Sequence, residues 1–481
     1  MPFLLQSNHM SKKQHIHFMG IGGSGVSAVV QIAHHQGYEV SGCDLQTDTP
    51  YIEKVKKDGI SVSTGHDPKH LAGIDLLAAS PAAFFQKPLH PELQQALAEK
   101  KAVTWQNFLG NYLHRNKHVI CIAGTHGKST TTAIASLMFE DAGLDPSVVI
   151  GATVTRWHNN YRLGNSPYFL TESDEFFDNF LNYHPDTIIL NNIEPDHPDY
   201  FKSQKQLYQS FAKHLKSLKG SKQLIFSQDS PGIKKLFDQY DLPLSTFSLI
   251  GYTLSSHPLI DTPHSLRVTK ILHNPTSTQF TINSRYFKLC DEIFTLPVPG
   301  DYNVSNALGV IALGLLHGLT PAAIKSSLSQ FTGIGRRLEL LGTPQNIHIY
   351  DDYAHHPTAV KLTLEALKQM HPNSRIFCVI EPHSFSRTKQ LLAWYKHVFD
   401  EAAEVLITPI FPARDTKTFG ISPQHIADVS KHSNITAYKD FDQILNRIKS
   451  TVHPGDVVVI MGAGKSYQLS QQILKSLTHD H

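Results

Sequence analysis

Cysteine is scarce in this sequence. Four occur in 481 residues, Cys43, Cys121, Cys290 and Cys378, and no two form a C-x-x-C pair. They read as reduced, mostly buried thiols of a cytoplasmic protein, not as a disulfide framework. Histidine is plentiful, at 30, but the pairs His34-His35 and His355-His356 lack the spacing of a structural zinc site and read as ordinary surface or core residues. One-sided charge is also missing: the net charge of +2 gives no reason to expect a nucleic-acid surface. No apolar run approaches the length of a transmembrane helix, and the N-terminus has no apolar signal core, so no membrane role is expected. With 41% apolar and 17% charged residues, the composition is that of an ordinary globular chain. Its length exceeds what one hydrophobic core serves, so two or three domains are expected.

What is present centres on Gly124-Thr125-His126-Gly127-Lys128-Ser129-Thr130. The run before it, His118 to Ala123, is apolar and β-branched and predicts a buried strand. The run after it, Thr132 to Ala142, carries apolar residues at helical spacing. A strand, a glycine loop and a helix in that order turn backbone N–H groups and a positive helix end toward an anion. Lys128 supplies a charge for the β- and γ-phosphates, and the Ser129 hydroxyl suits Mg2+. Where the full P-loop pattern has glycine this chain has Ile122, so the motif is a shortened Gly-x-x-Gly-Lys-Ser form.

The chain ahead of this loop reads as βα units. Residues 1 to about 14 are polar and expected to be loose. His15 to Met19 predicts a strand, Gly20-Ile21-Gly22-Gly23-Ser24-Gly25 opens a helix to about His35, and Glu39 to Cys43 predicts a strand ending on Asp44. Gly20, Gly22 and Gly25 fit G-x-G-x-x-G, and Asp44 stands where an acid meets a ribose hydroxyl. Alone, this pattern implies NAD, or more generally a nucleotide or nucleotide-sugar diphosphate at the helix N-terminus. Ile74 to Ser80 adds another unit, and the polar run 114–118 sets a first boundary near residue 114.

Beyond the P-loop, Tyr168 to Thr171 predicts a strand ending on Glu172-Ser173-Asp174-Glu175. Thr187 to Leu190 predicts another, ending on the acidic stretch 191–199. Ligands of parallel sheets sit beyond the strands' carboxyl ends, so both acidic clusters fall on the P-loop edge, where carboxylates ligate Mg2+. Residues 220–295 predict further strands with no assigned role. Asn303 and Asn306, one turn apart at the start of an apolar helix, cap it or contact a base. From Gly333 on, strands over 347–350, 376–380, 405–408 and 457–460 each run into a polar loop. Arg336 and Arg337 at the start of this part suit the stabilisation of phosphoryl charge. The expected fold is α/β with three domains, each a mainly parallel sheet with flanking helices. They are a Rossmann-like domain over 1–114, a P-loop ATP-binding domain over 115–332 and a Rossmann-like domain over 333–481.

Together, six stretches resemble the Mur ligases, ATP-dependent amino-acid ligases that build the peptidoglycan stem peptide. These are Gly124 to Thr130, Glu172 to Glu175, Asn192-Ile193-Glu194-Pro195-Asp196-His197, Gly300 to Asn306, Arg336-Arg337 and Asp351-Asp352-Tyr353-Ala354-His355-His356-Pro357. The resemblance covers nearly all of the chain. The glycine-rich amino terminus, Asp351 to Pro357, Pro382-His383-Ser384-Phe385-Ser386-Arg387 and the stretch from Asn182 to Tyr200 are most similar to the branch that adds the first amino acid.

That resemblance implies a cytoplasmic enzyme acting on UDP-N-acetylmuramate, L-alanine and ATP with Mg2+, with no nucleic-acid or membrane partner. Monomer and dimer both remain open. The first domain then holds the UDP of the sugar through Gly20, Gly22, Gly23, Ser24, Gly25, Asp44, His66 and Ser80. ATP falls to Gly124, Thr125, His126, Gly127, Lys128, Ser129, Thr130, Asn303, Arg337 and Asp352. The metal falls to Ser129, Glu172 and His197, and alanine to Tyr353, His355 and Arg387. Lys128, Glu172, His197 and Arg337 are the implied catalytic set. The implied reaction passes through an acyl phosphate, which removes the poor oxide leaving group of a carboxylate, while the protein positions groups and excludes water.

Three positions depart from the family pattern: Tyr302 in place of a common His, Ser384 in place of an Arg found in one branch, and Lys465 in place of a usual Asp. Three other readings compete. A recycling ligase would add an L-Ala-γ-D-Glu-diaminopimelate tripeptide to the same sugar. An NAD-dependent oxidoreductase would explain residues 15–44 alone. A non-catalytic P-loop switch would leave the alanine-pocket residues without work.

Overall fold

The structure, a computed structural model of the chain, describes residues 13–46, 49–85 and 88–479. The expected loose segment, 1 to about 14, lies almost wholly outside the described residues. Among those described, the strands form three sheets of five, ten and six strands.

The first sheet is wholly parallel, in the spatial order Ser61–Thr64, Glu39–Asp44, His15–Met19, Leu76–Ala79, Ala102–Thr104. The chain moves outward from the central strand on one side and then crosses to the other, which opens a crevice at that strand's carboxyl end. Leu76 to Ala79 is buried at every position, as expected of a parallel strand covered on both faces. The helix Ser24–His35 buries Val26, Val29, Val30, Ile32 and Ala33.

The second sheet runs Leu289–Leu296, Ser277–Ser284, Ser265–Asn274, Ser248–Thr253, Gln223–Ser227, Thr187–Leu190, His118–Ala123, Tyr168–Ser173, Ser147–Val154, Asn159–Arg162. Its interior ladders are parallel and antiparallel pairing is confined to the two edges. Residues 220–295 thus widen the sheet by two parallel strands and an antiparallel three-strand meander. The strand expected over 168–171 continues to Ser173, because His118–Ala123 runs alongside it to the end; Glu172 and Ser173 pair with Ile122 and Ala123 inside the ladder. The third sheet is parallel except for one edge strand, in the order Glu339–Gly342, His348–Asp352, Val457–Gly462, Ile376–Glu381, Glu404–Ile407, Ile435–Ala437.

Apolar packing joins the first two units. Phe108, Leu109 and Leu113 share one buried cluster with Phe180, Tyr183 and Phe211. The third unit has its own two clusters; its contacts with the second include the ion pair of Arg387 with Asp196 and a short bridge between Val154 and Ile334. Burial at the first junction is an area effect, and polar contacts at the second depend on charge and geometry.

Candidate active site

Strand His118–Ala123 delivers the phosphate loop and helix Lys128–Asp141 leaves it. Gly127 caps that helix at φ +80°, and a side chain there would strike the Asn306 carboxamide oxygen, so only glycine fits. The next strand end holds the loop in shape. The N–H of His126 donates to Asn192 Oδ1 at 2.8 Å, and that of Thr125 to the Asn192 carbonyl at 3.2 Å. The N–H of Glu194 donates to Thr125 Oγ1 at 2.8 Å. In sequence, Asn191, Asn192 and Glu194 belong to the acidic stretch 191–199; in the structure they scaffold the loop.

Lys128 Nζ donates to the Gly124 carbonyl at 2.6 Å and pairs with Glu175 Oε2 at 2.8 Å. Burial alone would lower the lysine's pKa, but the carboxylates of Glu175, Asp174 and Glu172 raise it, so it stays charged. Glu175 is 1% exposed, and its Oε1 has no hydrogen-bond partner. Asp174, Glu175 and His197 bring ligand atoms within 4.8 Å of one another. A buried carboxylate oxygen without a donor is what a hard divalent cation satisfies, so the carboxylates here fit Mg2+.

The expected metal trio divides. Ser129 and Glu172 stay together: Glu172 bonds the Ser129 hydroxyl and accepts the Gly151 N–H at 2.8 Å, while burial raises its carboxyl pKa. His197 lies with Asp174 and Glu175 instead. Arg387 Nη2, which can only donate, is 3.2 Å from His197 Nδ1. A neutral His197 therefore carries its proton on Nε2, 3.8 Å from Glu175 Oε1, and does not present a lone pair there.

Lys128, Ser129, Glu172, His197, Asn303, Arg337, Asp352, Tyr353, His355 and Arg387 all line one cavity of about 960 Å³ between the units. The paired arginines separate. Arg336 ties its own unit together, with Nε 2.9 Å from Asp351 Oδ2 and Nη2 2.8 Å from the Gly462 carbonyl. Arg337 reaches across to 3.5 Å from Ser129 Oγ, with its guanidinium 4.9 Å above the Tyr353 ring. Asp352 accepts N–H bonds from Leu338 at 2.7 Å and Ala354 at 2.6 Å, which orders the turn. Asn303 Nδ2 donates to the Pro299 carbonyl at 2.7 Å at its own helix entry.

Arg387 is 7% exposed and pairs with Asp196 Oδ1 at 2.8 Å. Burial would raise the Asp196 carboxyl, but the neighbouring His197 ring and Arg387 guanidinium hold it well below the usual carboxylate range. Burial and Arg387 likewise push His355 well below the ordinary imidazole value and His383 down to about 4, so this wall takes its positive charge from guanidinium alone. A second guanidinium, Arg414, lines the same cavity, 4.6 Å above the Phe176 ring and largely exposed. No sequence motif marked it. Two of the departures gain a physical reason. Ser384 caps the short helix Phe385–Gln390 by accepting the Arg387 N–H at 3.2 Å. Lys465 contributes its backbone N–H to Glu381 Oε1 at 3.0 Å, and its side chain is exposed.

At the first sheet, Asp44 Oδ2 accepts the Gly22 N–H at 2.9 Å, and a Cβ on Gly22 would lie 2.7 Å from Ile52. Gly23 caps the helix that Ser24 and Gly25 begin, and a Cβ on Gly25 would lie 2.9 Å from Trp105. A Cβ on Gly20 would meet Ser80 at 3.7 Å, and His66 Nδ1 is 3.0 Å from Cys43 Sγ. These residues share the carboxyl edge of the sheet. Ser24 also lines the interdomain cavity, and its carbonyl accepts the Asn160 side-chain amide of the second unit. Among the described residues, no helix is long and apolar enough to cross a membrane.

Three sequence patterns of one family match in series: the Mur ligase family catalytic domain over 15–116, the middle domain over 122–314 and the glutamate ligase domain over 336–464. The chain is 32% identical over 463 residues to a UDP-N-acetylmuramate–L-alanine ligase of Clostridium tetani, covering 96% of this chain and 98% of that one. In fold it is similar to the UDP-N-acetylmuramate–alanine ligase of Thermotoga maritima, with TM-score 0.77 and 23% identity, over 97% of this chain and all (100%) of the other. A murein peptide ligase of Psychrobacter arcticus is also similar, with TM-score 0.68 and 24% identity, over 97% and 99%.

Proposed function

The chain belongs to the Mur ligase family, an ATP-dependent ligase of peptidoglycan synthesis, and we propose that its reaction joins L-alanine to the lactyl carboxylate of UDP-N-acetylmuramate. The observation that carries this reading is the meeting of Lys128, Glu172, Arg337 and Arg387, from two units, in one cavity that Ser24 of the first unit also lines. The substrates fit that division: the sugar nucleotide on the glycine edge at 20–25, ATP on the phosphate loop, and alanine on the wall of Tyr353, His355 and Arg387. We draw the domain boundaries at 114 and 332 and place the enzyme in the cytoplasm.

The sugar's carboxylate oxygen attacks the γ-phosphorus of ATP, the bond to the β–γ bridging oxygen breaks, and ADP leaves. Alanine's neutral amine then attacks the acyl carbon, the nitrogen gives up one proton to solvent or the departing phosphate, and phosphate leaves with the former carboxylate oxygen. Lys128 neutralises charge on the phosphates, and Arg337 approaches them from the third unit. Mg2+, when bound, would be held by Glu175 and Asp174 with Ser129 and Glu172 nearby, and it offsets triphosphate charge. Arg387 and Arg414 present two guanidinium groups to alanine's carboxylate.

The test is phosphate release with UDP-N-acetylmuramate and, in turn, L-alanine, L-serine, glycine or the L-Ala-γ-D-Glu-diaminopimelate tripeptide. L-Alanine is expected to give the highest kcat/KM. Preference for the tripeptide would replace this reading with the recycling ligase, a reading kept in view by the similarity to a murein peptide ligase.

A further inference from the structure

A second polar cluster lies in the core of the first unit, outside the ligase chemistry. It gathers His17 from the central strand, Cys43 near the end of the neighbouring strand, His70 from the short turn Pro68–Leu71 and Glu92 from the first turn of helix Pro91–Ala98. Their ligand atoms all lie within 4.8 Å of one another. Glu92 and Cys43 are 0% exposed and His17 is 3% exposed. We infer that these four side chains form a binding site for one borderline-soft divalent cation, of which zinc is the representative.

Geometry supports a small tetrahedral ion. Bonds of about 2.0–2.3 Å to nitrogen, oxygen and sulfur place neighbouring ligand atoms about 3.3–3.8 Å apart. Here His17 Nε2 is 3.4 Å from Glu92 Oε1, His70 Nδ1 is 3.4 Å from the same oxygen, and Cys43 Sγ is 3.5 Å from both Glu92 oxygens. His17 Nε2 is buried and has no hydrogen-bond partner, while its Nδ1 is 2.8 Å from the Ser41 hydroxyl, which sets the ring's orientation. An outer hydrogen bond on one ring nitrogen with the other left bare is the usual arrangement of a metal-binding imidazole. His70 Nδ1 accepts only a long 3.4 Å bond from the Asp67 N–H, and His66 Nδ1 lies 3.0 Å from Cys43 Sγ at the rim of the cluster.

Charge balance points the same way. One thiolate, one carboxylate and two neutral imidazoles around a dication sum to zero, which makes burial affordable in electrostatic terms. The donor set also selects among ions. A thiolate with imidazoles suits zinc or cobalt, whereas Mg2+ and Ca2+ call for oxygen. No sequence spacing reveals the site, because the four ligands arrive singly on four elements. Cys43 adjoins Asp44, the residue that holds the Gly22 N–H, so a bound ion would brace the glycine edge from below.

The full-length protein, purified without chelator after growth with zinc, is expected to carry about one zinc per chain by elemental analysis. Replacement by cobalt(II) should give a thiolate-to-cobalt charge-transfer band. The two other such clusters among the described residues, Asp174-Glu175-His197 and His126-Glu194-His356, contain no sulfur and cannot produce it. Cys43→Ser should abolish the band and lower the zinc content by about one equivalent, while Cys290→Ser, at an exposed thiol, should change neither. If Cys43→Ser does not fold, His70→Gln is read in its place with the same expectation of lost zinc. Wild-type protein that gives no such band when loaded with cobalt, or zinc that persists unchanged in the folded variant, overturns the proposal. Ligase activity is not a readout here, so the outcome is independent of the proposed reaction.

Discussion

Two glycine loops in this chain have the same local plan and different surroundings. Residues 20–25 and 124–128 each link a buried parallel strand to a helix that buries one apolar face or more. The first loop is held mainly by its own unit: Asp44 takes the Gly22 N–H, and Ile52 and Trp105 pack where glycine side chains would be, while one amide from the second unit, Asn160, reaches the Ser24 carbonyl. The second is tied by charged and polar groups from elsewhere, namely Asn192, Glu175 and, from the third unit, Arg337. The difference teaches that a glycine loop becomes a phosphoryl-transfer site through its partners. A loop held by one carboxylate and apolar packing suits the fixed positioning of an anion, whereas a loop crossed by lysine, carboxylates and the third unit's arginine can answer charge that develops during reaction.

The sharpest way to break this contrast is Lys128→Ala. It should cut ligation by at least two orders of magnitude, about 3 kcal/mol of transition-state stabilisation, with the affinity for UDP-N-acetylmuramate unchanged. Steady-state kinetics with circular dichroism as a folding control decides it; near-normal turnover would remove the distinction between the loops.

The two units also differ in how they bury imidazole. His17 sits beside Glu92, whereas His214 of the second unit, and His114 at the junction, are buried against the aromatic rings of Phe180, Phe169 and Tyr183. Burial lowers each of the latter two to about 3. Their folded values lie below the unfolded one, so the unfolded chain binds more protons as the pH falls. Stability is therefore full above pH about 6.5 and declines toward pH about 3. Each should cost about 2 kcal/mol at pH 5, and His214→Leu should flatten part of that slope in urea titrations at pH 7 and 5. An unchanged slope would show that this ring is not protonated on unfolding.

Gly22→Ala tests the first loop alone. A methyl group 2.7 Å from Ile52 must displace it or the backbone, at about 1.4 kcal/mol, so the KM for the sugar nucleotide should rise about tenfold while that for ATP holds. A parallel rise in the KM for ATP would mean the loops are mechanically coupled. The smallest effect belongs to Arg336→Lys. A lysine keeps the charge beside Asp351 but loses the fork to Gly462 and Ser466, about 1 kcal/mol of stability, with kcat unaffected. Thermal unfolding with kinetics at saturating substrates separates this from Arg337→Lys, in which kcat should fall and stability hold.

Much of the architecture was legible. The strands expected at His15–Met19 and Thr187–Leu190 match to the residue, since apolar β-branched runs bounded by glycine or polar clusters act locally. The boundaries that moved, such as 168–171 extending to Ser173, did so because a neighbouring strand prolonged the ladder. The three-domain α/β plan followed from strands alternating with helices. The meander over 265–296 could not be given a task from its residues, because its place at the sheet edge depends on pairing partners.

By itself, then, the sequence determined which stretches become strand, glycine loop and helix, and that Lys128 and Ser129 open the helix behind the loop; these depend on neighbours within a few residues. Only the tertiary structure decided which polar groups are already engaged. It tied Arg336 to Asp351 and left Arg337 facing Ser129, set Glu175 rather than Glu172 against Lys128, and joined Arg387 to Asp196 and His197. It also gathered His17, Cys43, His70 and Glu92 from four separate elements. The reason is physical: hydrogen bonds and ion pairs act over about 3 Å in space, and the chain brings residues that close only when its sheets have formed and packed.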